Sequence, residues 1–241
     1  RKESSAASDV YKRQALRVWL TPLVPCYGLA LESLAPASAD ASFRRYFRLA
    51  SDSGTTYIVM DAPPEKESVG PYLKVQELMR KAGLNVPVIY EKNEEAGFIL
   101  MSDLGQKTYL DVLTLENAPA LFDGAVDELI SWQKATQPAV LPPYDESVLR
   151  RELQLFPDWY IARHRGYTMT EQDKADLERV FSRLVADNLA VSSVYVHRDY
   201  MPRNLMVSDT GRPGVIDFQD ALIGPCLLYT SPSPRDRTRS R

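Results

Sequence analysis

The sequence is poor in cysteine, with only Cys26 and Cys226 among its 241 residues. Two thiols so far apart form neither a metal-ligand cluster nor a disulfide framework, which argues against structural zinc and suits a reducing compartment such as the cytoplasm. Positive charge is not in excess either: 29 lysines and arginines stand against 32 acids, a net charge of −3. A chain without a basic field lacks the electrostatic footprint expected for nucleic acid or an anionic membrane, so a small soluble substrate fits better. Long apolar runs are also missing. The most apolar stretch, Val18 to Leu31, covers 14 residues and contains two prolines, whereas a bilayer-spanning helix needs about 20 apolar residues. It reads as an N-terminal helix and its turn. Internal repeats and heptad runs are absent. What is present, 44% hydrophobic and 25% charged residues, is enough to bury the core of one domain or two small lobes.

The two ends differ from the rest. Residues 1–14 (RKESSAASDVYKRQ) and 226–241 (CLLYTSPSPRDRTRSR) lack the hydrophobic period of a helix or strand. They read as non-native or disordered tails, and both resemble translated sequencing-adapter read-through. Without them, residues 15–225 carry a charge of −8, which weakens a nucleic-acid partner further.

Along the remainder, SFRRYFRLASDSGTTYIVM (42–60) predicts two strands around a turn at Ser51–Gly54. YLKVQELMRKAGLNVP predicts a helix that stops at Gly83 and Pro87, and VPVIYEKNEEAGFILMSDLG a strand, a turn and a second strand ending at Gly105. Beyond Gly105 the period turns helical: about Pro119 to Thr136, then SVLRRELQLFPDWYIARH, then EQDKADLERVFSRLVADNLA. The expectation is an α+β, bilobal, protein-kinase-like fold. Its β-rich nucleotide-binding lobe spans 15–105, and its helical lobe, carrying the catalytic loop and acceptor site, spans 106–225.

Chemistry concentrates in VHRDYMPRNLMVSDTGRPGVIDFQDA. His197-Arg198-Asp199 is followed after four residues by Asn204, the spacing of a kinase catalytic loop, and Asp217-Phe218-Gln219 stands where Asp-Phe-Gly is expected. Phosphoryl transfer needs little covalent help, so a protein must position the acceptor hydroxyl and neutralise phosphate charge. Asp199 is the candidate base for the hydroxyl proton. Asn204 and Asp217 supply the hard oxygen donors that Mg²⁺ on the phosphates of ATP requires. His197 is expected to support the loop from the core. Asp220 is expected to cap the next element.

This motif pair resembles the aminoglycoside phosphotransferase and choline kinase superfamily. SADASFRRYFRL, YIVMDAPPEKE, FILMSDLGQKTYLDVL, LPPYDESVLRRELQLFPDWY and GVIDFQDALIGP are similar to the bacterial anomeric kinases of N-acetylmuramate and N-acetylglucosamine in cell-wall recycling. The resemblance implies transfer of the ATP γ-phosphate to the C1 hydroxyl of an amino-sugar, with Asp199 as base and Asn204 and Asp217 on the metal. Aminoglycoside, choline or homoserine kinases and a nucleotide-binding pseudokinase remain alternatives. After ALIGP the family continues into helices that complete the second lobe, so that lobe is expected to be truncated here.

The pattern also departs from the family. No G-x-G-x-x-G loop exists; SADAS, ending at Ser42, occupies its place, and Asp61 stands near the place of a phosphate-pairing lysine. The positive charge is then expected from Arg44, Arg45 or Arg48, unless these form a solvated face, and Glu77 is the candidate helix glutamate. Nucleotide-binding candidates are Ser42, Arg44 and the interlobe linker Met101, Ser102 and Asp103, where backbone groups matter more than side-chain identity. Acceptor-site candidates are Glu152, Trp159 and Arg203.

Overall fold

The computed structural model describes residues 13–38 and 43–226, apart from the side chain of Ser38. Five strands make one antiparallel sheet in the order β1-β2-β3-β5-β4: β1 is Ala35–Ser38, β2 Arg45–Ala50, β3 Thr56–Asp61, β4 Ile89–Asn93 and β5 Phe98–Ser102. Side chains alternate across a strand, so the register sorts them into two faces. Phe47, Val59 and Leu100 lie in one row; with Leu49 and Phe98 they pack under Leu16, Leu20 and Leu29 of the N-terminal segment. That segment begins as a helix at residues 13–20 (α1), continues through a 3-10 turn into α2 (Val24–Tyr27), and ends at Gly28. The helix therefore includes residues 13 and 14, which had been assigned to the tail. The opposite face, with Ile58, Met60, Ile99 and Met101, belongs to the main core.

α3 (Gly70–Lys81) covers that second face with Tyr72, Val75, Gln76 and Met79, the i, i+3, i+4, i+7 stripe of an amphipathic helix. Its end is set by Gly83 at φ 83°, where the amides of Gly83 and Leu84 donate back to the carbonyls of Arg80 and Met79. Gly97, at φ 77° in the β4–β5 turn, has no substitute, because a Cβ there would meet the Ala62 carbonyl oxygen at 1.8 Å.

The helical part comprises α4 (Tyr109–Val112), α5 (Ala118–Lys134), α6 (Glu146–Leu155), a π-helical segment (Phe156–His164) and α7 (Glu171–Leu189). Asp145 caps α6 by accepting from the Val148 amide, and a Thr170/Asp173 capping box starts α7. Two small hairpin-like pairs carry the chemistry-bearing loops: β6 (Ser193–Val196) with β9 (Leu222–Pro225), and β7 (Leu205–Met206) with β8 (Gly214–Val215). The main core is continuous between the two parts. Tyr72 of α3 lies 4.8 Å, centroid to centroid, from Phe218, which is fully buried together with Trp132, Tyr195 and Val215. Among the described residues, no helix is long and apolar enough to cross a membrane.

Candidate active site

The loop after β6 is held from below by His197. This side chain is fully buried; its Nδ1 accepts from the Asp199 amide at 3.3 Å and its Nε2 faces the Ile216 carbonyl at 3.1 Å. An acceptor at Nδ1 places the single proton on Nε2, so the ring is neutral and joins the loop after β6 to the residue that follows β8. Burial lowers its pKa to about 4, against opposing effects that include the charge of Asp217 and the Ile216 carbonyl. His197 is thus a support for the loop.

Asn204 ends a 3-10 turn, Pro202–Asn204. Its Nδ2 donates to the Asp199 carbonyl at 2.8 Å and to Asp217 Oδ2 at 3.3 Å, while its own carbonyl accepts from the Ile216 amide. With the amide nitrogen committed, Oδ1 is the remaining polar atom of that side chain. Asp217 Oδ1 accepts from Gln219 Nε2 at 2.8 Å. Arg198 and Asp217 have φ of 76° and 62°, two of the three non-glycine residues with positive φ among the described residues. Left-handed backbone at non-glycine positions is costly and clusters at functional sites.

Asp199, Asn204 and Asp217 line one cleft of about 730 Å³ between the helical part and the sheet. Its roof includes Tyr46, Arg48, Ile58 and Met101, its back wall the segment 102–106, and its floor adds Arg203 and Met206. Further candidates from the sequence can be placed in relation to it. Met101, Ser102, Asp103 and Arg203 line the cleft; Arg44 does not, being buried with its Nε 3.3 Å from Glu67 Oε2. Ser42 lies outside the described residues.

One linker side chain is held by several donors. Asp103 accepts from Arg48 Nε at 2.6 Å, Arg48 Nη2 at 3.1 Å, Thr56 Oγ1 at 2.8 Å and the Gly105 amide at 3.0 Å. Burial would raise its pKa, but these donors prevail and hold the carboxyl below its ordinary value. Arg48 Nη2 also reaches the Gly105 carbonyl at 2.9 Å, so one arginine fastens β2 to the linker.

The arginines of the hairpin are not a solvated face. Arg45 is bound to Asp61, a nearly sequestered carboxylate on the sheet face away from the cleft. Asp61 therefore has a cross-strand role, and its neighbour Met60 fills the cleft-side core. Glu77 is exposed and paired with Lys81 one turn on, apart from the cleft. Glu152 is taken up by Arg198 at 2.5 Å and by the Tyr144 hydroxyl, and Trp159 is 56% exposed with the Arg163 guanidinium 3.9 Å above its ring. Neither Glu152 nor Trp159 lines the cleft. Gln219 was missed as a partner of Asp217; its signal was the departure from Asp-Phe-Gly at that position.

Comparison with known proteins bears on the family and the fold. A protein named N-acetylmuramate/N-acetylglucosamine kinase from Pseudomonas aeruginosa is 50% identical over 225 residues, covering 90% of this chain and 66% of that protein. One of the same name from Neisseria meningitidis is 42% identical, covering 87% of this chain and 62% of its own length. The chain thus spans less than two thirds of these curated relatives. Choline kinase LicA from Streptococcus pneumoniae superposes with a TM-score of 0.60 at 16% identity, over 88% of this chain and 71% of that one. Aminoglycoside phosphotransferase APH(4)-Ia gives 0.56 at 16%, over 84% and 71%. At such identities the likeness speaks for the protein-kinase-like fold alone. The model of the phosphotransferase enzyme family matches residues 33–228, most of the chain and every residue of the cleft, and the chain belongs to that family.

Proposed function

We propose that the chain is an ATP-dependent phosphotransferase acting on a small-molecule hydroxyl, namely the anomeric C1 hydroxyl of N-acetylmuramate or N-acetylglucosamine, in the cytoplasm. Residues 13–105 form the nucleotide-binding lobe and 106–225 the lobe with the catalytic loop and acceptor site. The observation that carries the reading is the convergence of Asp199, Asn204 and Asp217 on the floor of one cleft beneath an interlobe linker. The acceptor is taken from the names of the relatives.

Asp199 accepts the proton of the attacking hydroxyl, a contribution of about 10²–10⁴-fold for a well-placed base. The Asp217 carboxylate and the uncommitted Oδ1 of Asn204 are hard oxygen donors and fit Mg²⁺. Bound there, the ion supplies neutralisation of phosphate charge. Backbone groups of Met101, Ser102 and Asp103 bind the base of the nucleotide, Arg48 holds their segment still, and Arg203 faces the anionic substrates.

The test is ATP consumption against N-acetylmuramate, N-acetylglucosamine, aminoglycosides and choline, using this chain and a version extended to the length of the relatives. Turnover confined to the amino-sugars is expected. Turnover only with other acceptors rejects the sugar assignment, and none with any acceptor, despite nucleotide binding, rejects phosphoryl transfer.

A further inference from the structure

We propose that Glu152 is a positioning residue that acts through Arg198 to fix Asp199 relative to Asp217; its catalytic consequence rests on the phosphotransferase reading above. Arg198 lies between His197 and Asp199 and sits at φ 76°, a conformation that a side chain with Cβ adopts only when its surroundings impose it. Those surroundings are specific. Arg198 Nη2 donates to Glu152 Oε1 at 2.5 Å, Nη1 makes a longer contact of 3.4 Å to the Asp220 carbonyl, and the guanidinium lies 5.8 Å from the centroid of Tyr144.

One planar cation therefore joins the residue before Asp199 to the residue three positions beyond Asp217, and Glu152 ties it to α6. Arginine suits this task because its fork holds several acceptors in a fixed geometry. The anchor is itself immobilised. The second oxygen of Glu152 accepts from the Tyr144 hydroxyl; the Tyr144 amide donates to the Ile223 carbonyl at 2.6 Å, and a Cβ on Gly224 would come within 2.5 Å of Tyr144 Cβ. Ile223 and Gly224 belong to β9, which pairs with β6, the strand that delivers the catalytic loop. Neither Glu152, Arg198 nor Tyr144 lines the cleft, so their influence on a bound nucleotide passes through the loop they hold.

The test uses the full chain and three variants. Glu152→Gln keeps the shape and removes the charge, Arg198→Gly removes the guanidinium while suiting the positive φ, and the third combines them. Glu152→Gln is expected to lower kcat about tenfold with both KM values within about twofold, since small displacements of reacting groups cost rate more than binding. The double variant is expected to be no worse than Arg198→Gly alone, the signature of two residues acting as a unit. A raised acceptor KM at unchanged kcat, or additive losses, overturns the proposal, because Glu152 then acts on the acceptor or independently of Arg198. Hydrogen exchange separates this from failure of the kinase reading. Even without turnover by the parent chain, Glu152→Gln is expected to speed amide exchange in 197–200 and 217–220 while α3 is unchanged, and unaltered exchange in both loops overturns the positioning role.

Discussion

The floor and the roof of the cleft are built on different principles. On the floor, Asp199, Asn204 and Asp217 come from one stretch of 19 residues and are held by bonds within that stretch and to the buried His197 beneath it. On the roof, the pair Arg48–Asp103 joins residues 55 positions apart, and Arg45 is bound to Asp61 on the opposite face of the sheet. A local loop keeps its chemistry when distant parts vary, whereas a sheet assigns each charge to a face by register. The register also shows that Asp61 does not take the place of a phosphate-pairing lysine: on β3 the alternation puts Met60 in the cleft-side core and Asp61 on the other side, bound to Arg45.

The sharpest way to break this comparison is at the floor. Asp199→Ala is expected to lower kcat by about 10³-fold or more while nucleotide affinity and melting temperature stay near those of the parent, read by steady-state kinetics and calorimetry. Retained turnover would remove Asp199 from the role of base.

Acid provides the next largest effect. The folded pKa of His197 is about 4 against an ordinary 6.5, so between those values the unfolded chain binds a proton that the folded chain refuses. Its contribution to stability is complete above pH 6.5 and is lost as pH falls toward 4, amounting to about 3 kcal/mol. A cation on Asp217 would remove one of the effects that raise this pKa, leaving the sign unchanged. Urea unfolding at several pH values is expected to show a shallower acid loss for His197→Gln than for the parent, and equal slopes would contradict the assignment.

The roof is tested by a pair of variants. Asp103→Ala and Asp61→Ala each remove the carboxylate that a partly buried arginine binds, and each is expected to cost about 2 kcal/mol of stability. Only Asp103→Ala should also weaken ADP binding, by about tenfold in titration calorimetry, or about 1.4 kcal/mol, since only the Arg48–Asp103 pair borders the cleft. The smallest effect belongs to Glu77→Ala, whose pair with Lys81 one helical turn away is exposed and screened by solvent, so stability is expected to change little. Turnover is expected to be unaffected, and a marked loss would restore Glu77 as the glutamate of the site.

Much of the fold was legible in the sequence because its signals are short-ranged. The turn at Ser51–Gly54 stands between β2 and β3, the helix expected to stop at Gly83 is α3, and the three later helical stretches are α5, α6 with its π-helical extension, and α7. The short strands β1, β7 and β9 carried too few residues to show a period. Site residues divide in the same way. Asp199, Asn204, Asp217 and the 101–103 linker, singled out by spacing and order, line the cleft, whereas Glu152 and Trp159, chosen for residue type on a helix, do not, because residue type does not reveal what a helix faces.

By itself, the sequence determined the family of the chain, since H-R-D, its asparagine and the later aspartate form a local constellation whose spacing is set by a short loop and two short strands. Tertiary structure alone decided the partners of the arginines. Whether Arg48 meets Asp103, Arg45 meets Asp61, or Arg198 meets Glu152 depends on strand order, on a register in which one residue's slip reverses every side chain, and on where α6 docks. Those contacts join separate elements of the fold, and pattern along the chain does not say which elements meet.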